Sequence, residues 1–229
     1  MEYDYLFKLF VVGGGGVGKL GLIRSLKGNI FDEEKTLAEI LGLGFHLSMV
    51  NIEGKAIKLR IFSIGGLDRF SWFHSSYSKG LVGVLLVYDI TRRETFNHIP
   101  TLMKVTGHPD HPNITYMLVG NKCELENERA VSKEEAEQFA QQNGLLFVET
   151  SAATSLNVEE AFKRTAANAL KKIQDGLLIH APSKAQQRRR PPQQNPSPFH
   201  IFVYPLSFLL LLLLFLLPFS FSFTSVFLS

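Results

Sequence analysis

The stretch Gly13-Gly14-Gly15-Gly16-Val17-Gly18-Lys19-Leu20 constrains what this chain can fold into more than any other. Leu6 to Val12 before it is an apolar run with the composition of a buried strand, and Gly21 to Leu26 after it has helical spacing. A strand, a glycine-rich turn and a helix opening at a lysine form the context of a phosphate-binding loop. Glycines let successive backbone N–H groups converge on a phosphate at a helix N-terminus, and Lys19 is placed to reach the outer phosphates. Every position but the last suits that role. The last normally supplies a hydroxyl to Mg²⁺, and here it is Leu20. The bland alternative is a glycine-rich turn that holds no ligand.

With 229 residues there is room for one domain and a tail. Of the 24 basic residues, Lys184 and Arg188-Arg189-Arg190 sit in one cluster, which leaves 20 against 21 acidic residues elsewhere. A near-neutral folded part argues against a nucleic-acid polymer as partner. The single cysteine, Cys123, excludes an intrachain disulfide and suits a reducing compartment. Glu2 and Asp4 precede only a short apolar run, which is not the pattern of a secretory signal.

The remaining pattern alternates strands and helices. Phe45 to Ile52 and Lys55 to Ile64 alternate apolar and polar residues around Glu53-Gly54, which predicts a β-hairpin. Leu81 to Tyr88 is a continuous apolar run, as in a strand covered on both faces, and Ile114 to Val119 reads as another buried strand. The helix between them is poorly written, with Pro100 inside it and Pro109 and Pro112 in the loop that follows. Ser132-Lys133-Glu134-Glu135 is a capping box that opens a helix to about Asn143, with Gly144 as its stop. Leu145 to Val148 predicts the last strand, and Asn157 is the expected cap of a final helix through Phe162, Ala166 and Leu170. These elements predict an α/β sandwich whose chemistry lies at the carboxyl ends of its strands.

Tyr5-Leu6-Phe7-Lys8, Val87-Tyr88-Asp89-Ile90-Thr91-Arg92-Arg93, Thr95-Phe96-Asn97-His98, Val119-Gly120-Asn121-Lys122 and Glu149-Thr150-Ser151-Ala152 resemble the Rab family of Ras-like small GTPases. The likeness is strongest to the branch working between endoplasmic reticulum and Golgi, and it spans about residues 3–176. It implies a Ras-like domain over 1–176, with a mostly parallel six-stranded sheet and helices on both faces. It also implies binding of GTP or GDP with Mg²⁺, and two loops that switch on the γ-phosphate.

Position by position, the resemblance assigns Gly13, Gly15, Gly16, Val17, Gly18, Lys19 and Leu20 to the phosphates, and Phe31 to the guanine edge. Gly66 would meet the γ-phosphate, while Asn121, Lys122, Glu124, Ser151, Ala152 and Ala153 match the base-recognition motifs. The Mg²⁺ positions carry Leu20, Ile40 and Ser63, and a hard cation needs oxygen ligands. Leu67 stands where the family has the glutamine that orients the attacking water, so no catalytic residue is intact. Glu124 replaces an aspartate, and Ala153 replaces a lysine. The expectation is weakened nucleotide binding, doubtful Mg²⁺ and impaired hydrolysis. Phe45, Phe62 and Tyr77 match the surface that Rab proteins present to effectors and regulators, and Trp72 and Phe73 add apolar bulk to the second switch.

Rab chains usually end in prenylated cysteines; this one ends Phe227-Leu228-Ser229. Residues 177–198 read as a basic, Pro/Gln-rich disordered linker. Residues 199–229 contain no Asp, Glu, Lys or Arg and include an unbroken leucine run from Leu209 to Leu214. About 20 apolar residues cross a bilayer, so this is a candidate C-terminal membrane anchor, with Arg188 to Arg190 holding the domain on the cytosolic side. The expected protein is a monomeric, Rab-like nucleotide binder of vesicle transport on endoplasmic reticulum or Golgi membranes. The alternatives are a hydrolysing Rab GTPase with an altered metal shell, and a degenerate copy without activity.

Overall fold

The computed structural model describes residues 3–26, 29–30, 45–65 and 80–177. In chain order these form β1 (Tyr5–Gly13), α1 (Lys19–Ser25), β2 (Asn29–Ile30), β3 (Phe45–Ile52), β4 (Lys55–Gly65), β5 (Leu81–Asp89), α2 (Arg93–Asn97), α3 (Ile99–Val105), β6 (Thr115–Asn121), α4 (Lys133–Gln142), β7 (Leu146–Thr150) and α5 (Val158–Gln174). The sheet order is β2-β3-β4-β1-β5-β6-β7. Pairs from β4 through β7 are parallel, and only β2-β3 and β3-β4 are antiparallel. The six strands expected from the sequence are all present, and the two-residue β2 adds to the hairpin edge.

Burial explains each strand's writing. Every residue of β5 and β6 is buried, because helices cover both faces of the sheet there. β3 lies towards the edge and alternates buried with half-buried or exposed positions. Its turn to β4 places Glu53 and Gly54 at φ 52° and 74°, the paired positive values of a two-residue hairpin turn. Alternate residues of β1 feed two cores. Phe7, Leu9 and Val11 pack with Leu22 and Ile23 of α1 and Phe162, Ala166 and Leu170 of α5. Phe10 and Val12 pack with Phe96, Ile99 and Leu102 of α2 and α3 and with Ala136 and Ala140 of α4.

Pro100 splits the poorly written helix in two. It sits in the first turn of α3, where its missing N–H has no intrahelical partner to lose. α4 is bounded as its sequence requires. The Ser132 hydroxyl accepts from the Glu135 N–H at 3.1 Å, and Gly144 takes φ 66° beyond the C-terminus. There the Leu145 N–H donates to the Ala140 carbonyl at 2.9 Å and the Gly144 N–H to Gln141 at 3.2 Å, a Schellman closure. The Glu135 side chain does not complete the box. It accepts from Nη1 and Nη2 of Arg93 instead, the latter at 2.7 Å.

The expected Asn157 cap is corrected. Asn157 precedes α5 in left-handed conformation with no side-chain cap bond, and its amide donates to the Glu149 carbonyl at 2.9 Å. The left-handed backbone and the commitment of the amide nitrogen to the end of β7 hold the side chain away from the first N–H groups of the helix.

Candidate functional site

The glycine-rich stretch is the turn from β1 into α1, the central strand feeding a helix N-terminus. Two glycines are required by geometry. At Gly13 a Cβ would lie 2.5 Å from the Val87 carbonyl oxygen of β5, and at Gly18 it would lie 2.3 Å from Asn121 Nδ2, with φ at +94°. Gly16 is also left-handed, at φ 71°, whereas a Cβ on Gly15 would meet nothing within 4 Å. Val17 is buried and anchors the turn in the core. Lys19, the first residue of α1, folds back so that its ammonium donates to the carbonyls of Gly13 at 2.8 Å and Gly14 at 2.6 Å. Burial holds its pKa below the usual lysine value.

β6 and β7 run two residues further than their apolar runs suggest, which makes Asn121 and Thr150 the last strand residues. Asn121 is buried and fully engaged. Its Nδ2 donates to the Val17 carbonyl at 2.8 Å, and its Oδ1 accepts from Thr150 Oγ1 and the Ala152 N–H, both at 3.2 Å. One amide thus ties the phosphate loop to both base-recognition segments. The Ser151 hydroxyl, also buried, accepts from the Thr154 N–H at 3.1 Å and shapes the 151–154 turn. Ala153 and Glu124 are exposed, and Glu124 makes no hydrogen bond among the described residues.

The structure gives a part in the site to two residues of the Val87–Arg93 island to which the motifs assign no role. Asp89, the last residue of β5, is wholly buried. It accepts from the Thr91 N–H at 3.0 Å, the Thr91 hydroxyl at 2.7 Å and Arg92 Nε at 3.0 Å, and pairs with Lys122 Nζ at 2.6 Å. Burial alone would raise the Asp89 pKa, but the bonds from Lys122, Thr91 and Arg92 outweigh it and hold the carboxyl at about 2. Arg92 then reaches across to the phosphate loop, donating from Nη2 to the Gly15 carbonyl at 2.9 Å. A cleft of about 310 Å³ lined by Gly13, Gly14, Gly15, Arg92, Thr95 and His98 opens beside that contact. The sequence signal was present but weak: an aspartate closing an apolar strand is unexpected unless it has partners.

The phosphate half of the site fits a nucleotide, since the loop holds positions where a Cβ would clash and carries a half-buried lysine. The metal half does not fit. Leu20 occupies the first turn of α1 with an aliphatic side chain, and Ser63 on β4, opposite Val11 of β1, keeps only a neutral hydroxyl. Among the described residues no group of three or more His, Cys, Asp or Glu side chains could hold a metal ion.

On the hairpin, Phe45 and Phe62 are register partners with ring centroids 5.7 Å apart, both half-buried. The Arg60 guanidinium lies 3.8 Å from the Phe45 centroid and Lys8 Nζ 5.2 Å from that of Phe62. Phe31, Ile40, Gly66, Leu67, Trp72, Phe73 and Tyr77 lie outside the described residues, as do residues 178–229. No helix among the described residues is long and apolar enough to cross a membrane.

The family model described as the Ras family matches residues 8–171. That span takes in both cores, the phosphate loop and the ends of β5, β6 and β7. The chain belongs to the Ras family of small GTPases.

Proposed function

We propose that this is a Rab-type small GTPase of vesicle transport, held at endoplasmic reticulum or Golgi membranes, whose metal-dependent switching and hydrolysis are impaired. The observation that carries the reading is the contrast across one peptide bond. Lys19 and the cradle before it are intact, while Leu20 offers a cation nothing. The Rab assignment rests on the motif islands around Asp89, Asn121 and Ser151.

Guanine nucleotide supplies a polyphosphate for the loop and a ring for the base pocket. Gly13, Gly16 and Gly18 leave backbone N–H groups free of side-chain obstruction, and Lys19 neutralises phosphate charge. Asn121 holds the loop and the 150–152 segment together, and Glu124 offers a carboxylate one methylene longer than the usual acceptor, which lowers affinity. With Leu67 unable to orient water, γ-phosphate cleavage is slow even with an activating protein. The protein therefore works as a monomeric partner-binding module through Phe45, Phe62 and Tyr77 rather than as a timed switch. Residues 199–229 serve as a membrane anchor, with the domain facing the cytosol.

The test is guanine-nucleotide content and affinity of the purified chain with and without Mg²⁺. Binding weaker than that of an ordinary Rab and indifferent to the metal supports the reading. Leu20→Ser should restore part of the metal dependence.

A further inference from the structure

Four consecutive glycines have no side chains with which to hold a path, so the order of this loop comes from outside it. Its carbonyls are taken in succession by three side chains. Lys19 takes Gly13 and Gly14, Arg92 takes Gly15, and Asn121 takes Val17. The Lys19 and Asn121 contacts fall on positions the family motifs already assign. The Arg92 contact does not, and it falls where the loop is least determined, at a glycine that neither space nor a left-handed φ requires.

We propose that Arg92 is a positioning residue of the nucleotide site: its guanidinium fixes the Gly15 carbonyl, and Asp89, shared with Lys122, couples that brace to the base-recognition segment. This deepens the nucleotide-binding reading above and rests on it. The peptide unit is planar, so fixing the Gly15 carbonyl also fixes the Gly16 N–H on the opposite side of the same bond. The guanidinium suits the task because its nitrogens are rigidly spaced. Nε is held by Asp89 at 3.0 Å while Nη2 reaches Gly15 at 2.9 Å. Nη1 adds only a loose approach to Glu94 at 3.9 Å. Asp89 is wholly buried and also binds Lys122 at 2.6 Å, so the arginine stem and the lysine head share one fixed acceptor. The two ends of the site thereby report on each other through a single carboxylate.

The experiment uses the full chain in detergent micelles, comparing wild type with Arg92→Ala, Arg92→Lys and Arg92→Ala combined with Gly15→Ala. Two readouts are taken: release of GDP bearing a fluorescent ribose label, with chelator present, and amide hydrogen exchange of residues 13–18 without nucleotide. Arg92→Ala should speed release roughly tenfold, the value of one charge-assisted hydrogen bond. It should also raise exchange in the loop while leaving β5 and α5 unchanged. Arg92→Lys should recover only part of the loss, because an ammonium lacks the fork. Adding Gly15→Ala should slow release again, since alanine has open space there and narrows the unbound loop. Should the wild type bind no GDP, the functional reading fails, and loop exchange still decides the brace. Unchanged loop exchange in Arg92→Ala overturns the proposal.

Discussion

Tyr88 and Asp89 are neighbours on β5 with opposite fates. Among the described residues the Tyr88 hydroxyl is buried without a hydrogen-bond partner, against the backbone of Gly120. Burial raises its pKa, and the nearby Glu149 carboxylate raises it further. An unsatisfied hydroxyl is a cost with no return, while the ring packs edge-on against Phe96 with centroids 4.9 Å apart. Tyr88→Phe is therefore expected to stabilise the domain by about 1 kcal/mol in urea unfolding; a clear loss of stability would show that the hydroxyl has a partner. Asp89 is the converse case. Its folded pKa, about 2, lies below the ordinary 3.8, so its stabilisation is fully present above that ordinary value and is lost as pH falls toward about 2. The shift corresponds to about 2 kcal/mol, an order-of-magnitude figure. Unfolding free energy measured across that window should fall by this amount in wild type and much less in Asp89→Asn.

At the scale of elements, most of the fold was legible because the sequence states it locally. The Ser132 cap of α4, the Glu53-Gly54 turn and the largely apolar runs of β5 and β6 each encode structure within a few residues. Ser132→Ala should cost about 1 kcal/mol through the lost bond to Glu135, measurable by thermal unfolding. Two features were not legible, and both depend on distant partners. Asn157 has the right residue type for a cap, but the Glu149 carbonyl at the end of β7 claims its amide. Arg92 lies 77 residues from Gly15, and no local pattern links them. Within the site, Lys19 and Asn121 stand where the motifs place them. The motif gives no sign that Gly13 and Gly18 are obligatory while Gly15 is not; that follows from what packs against each. Gly18→Ala faces both a left-handed φ and the Asn121 amide, so it should abolish nucleotide retention, whereas Gly15→Ala should not. Equal retention by the two variants would contradict this geometry.

The whole molecule joins a near-neutral Ras-family domain to a tail of different composition. If residues 199–229 span a bilayer, the protein cannot be extracted by a soluble carrier as a prenylated relative can, and it stays on its membrane whatever nucleotide it holds. Alkaline carbonate should leave the full chain with membranes and release a chain truncated after Arg190; equal release of both would remove the anchor from the account. In the function proposed here, two roles that normally travel together, holding phosphate and holding metal, are separated. The phosphate cradle is built at Gly13, Gly18, Lys19 and Asn121, and Leu20 brings no oxygen to the metal position beside it. The most direct measurement is the rate at which the full chain, in detergent, releases labelled GDP in excess Mg²⁺ and again after chelation. The same rate is expected in both conditions, with a chelator effect that appears only in Leu20→Ser. A stable complex in the unaltered protein that collapses when the metal is removed would contradict this expectation.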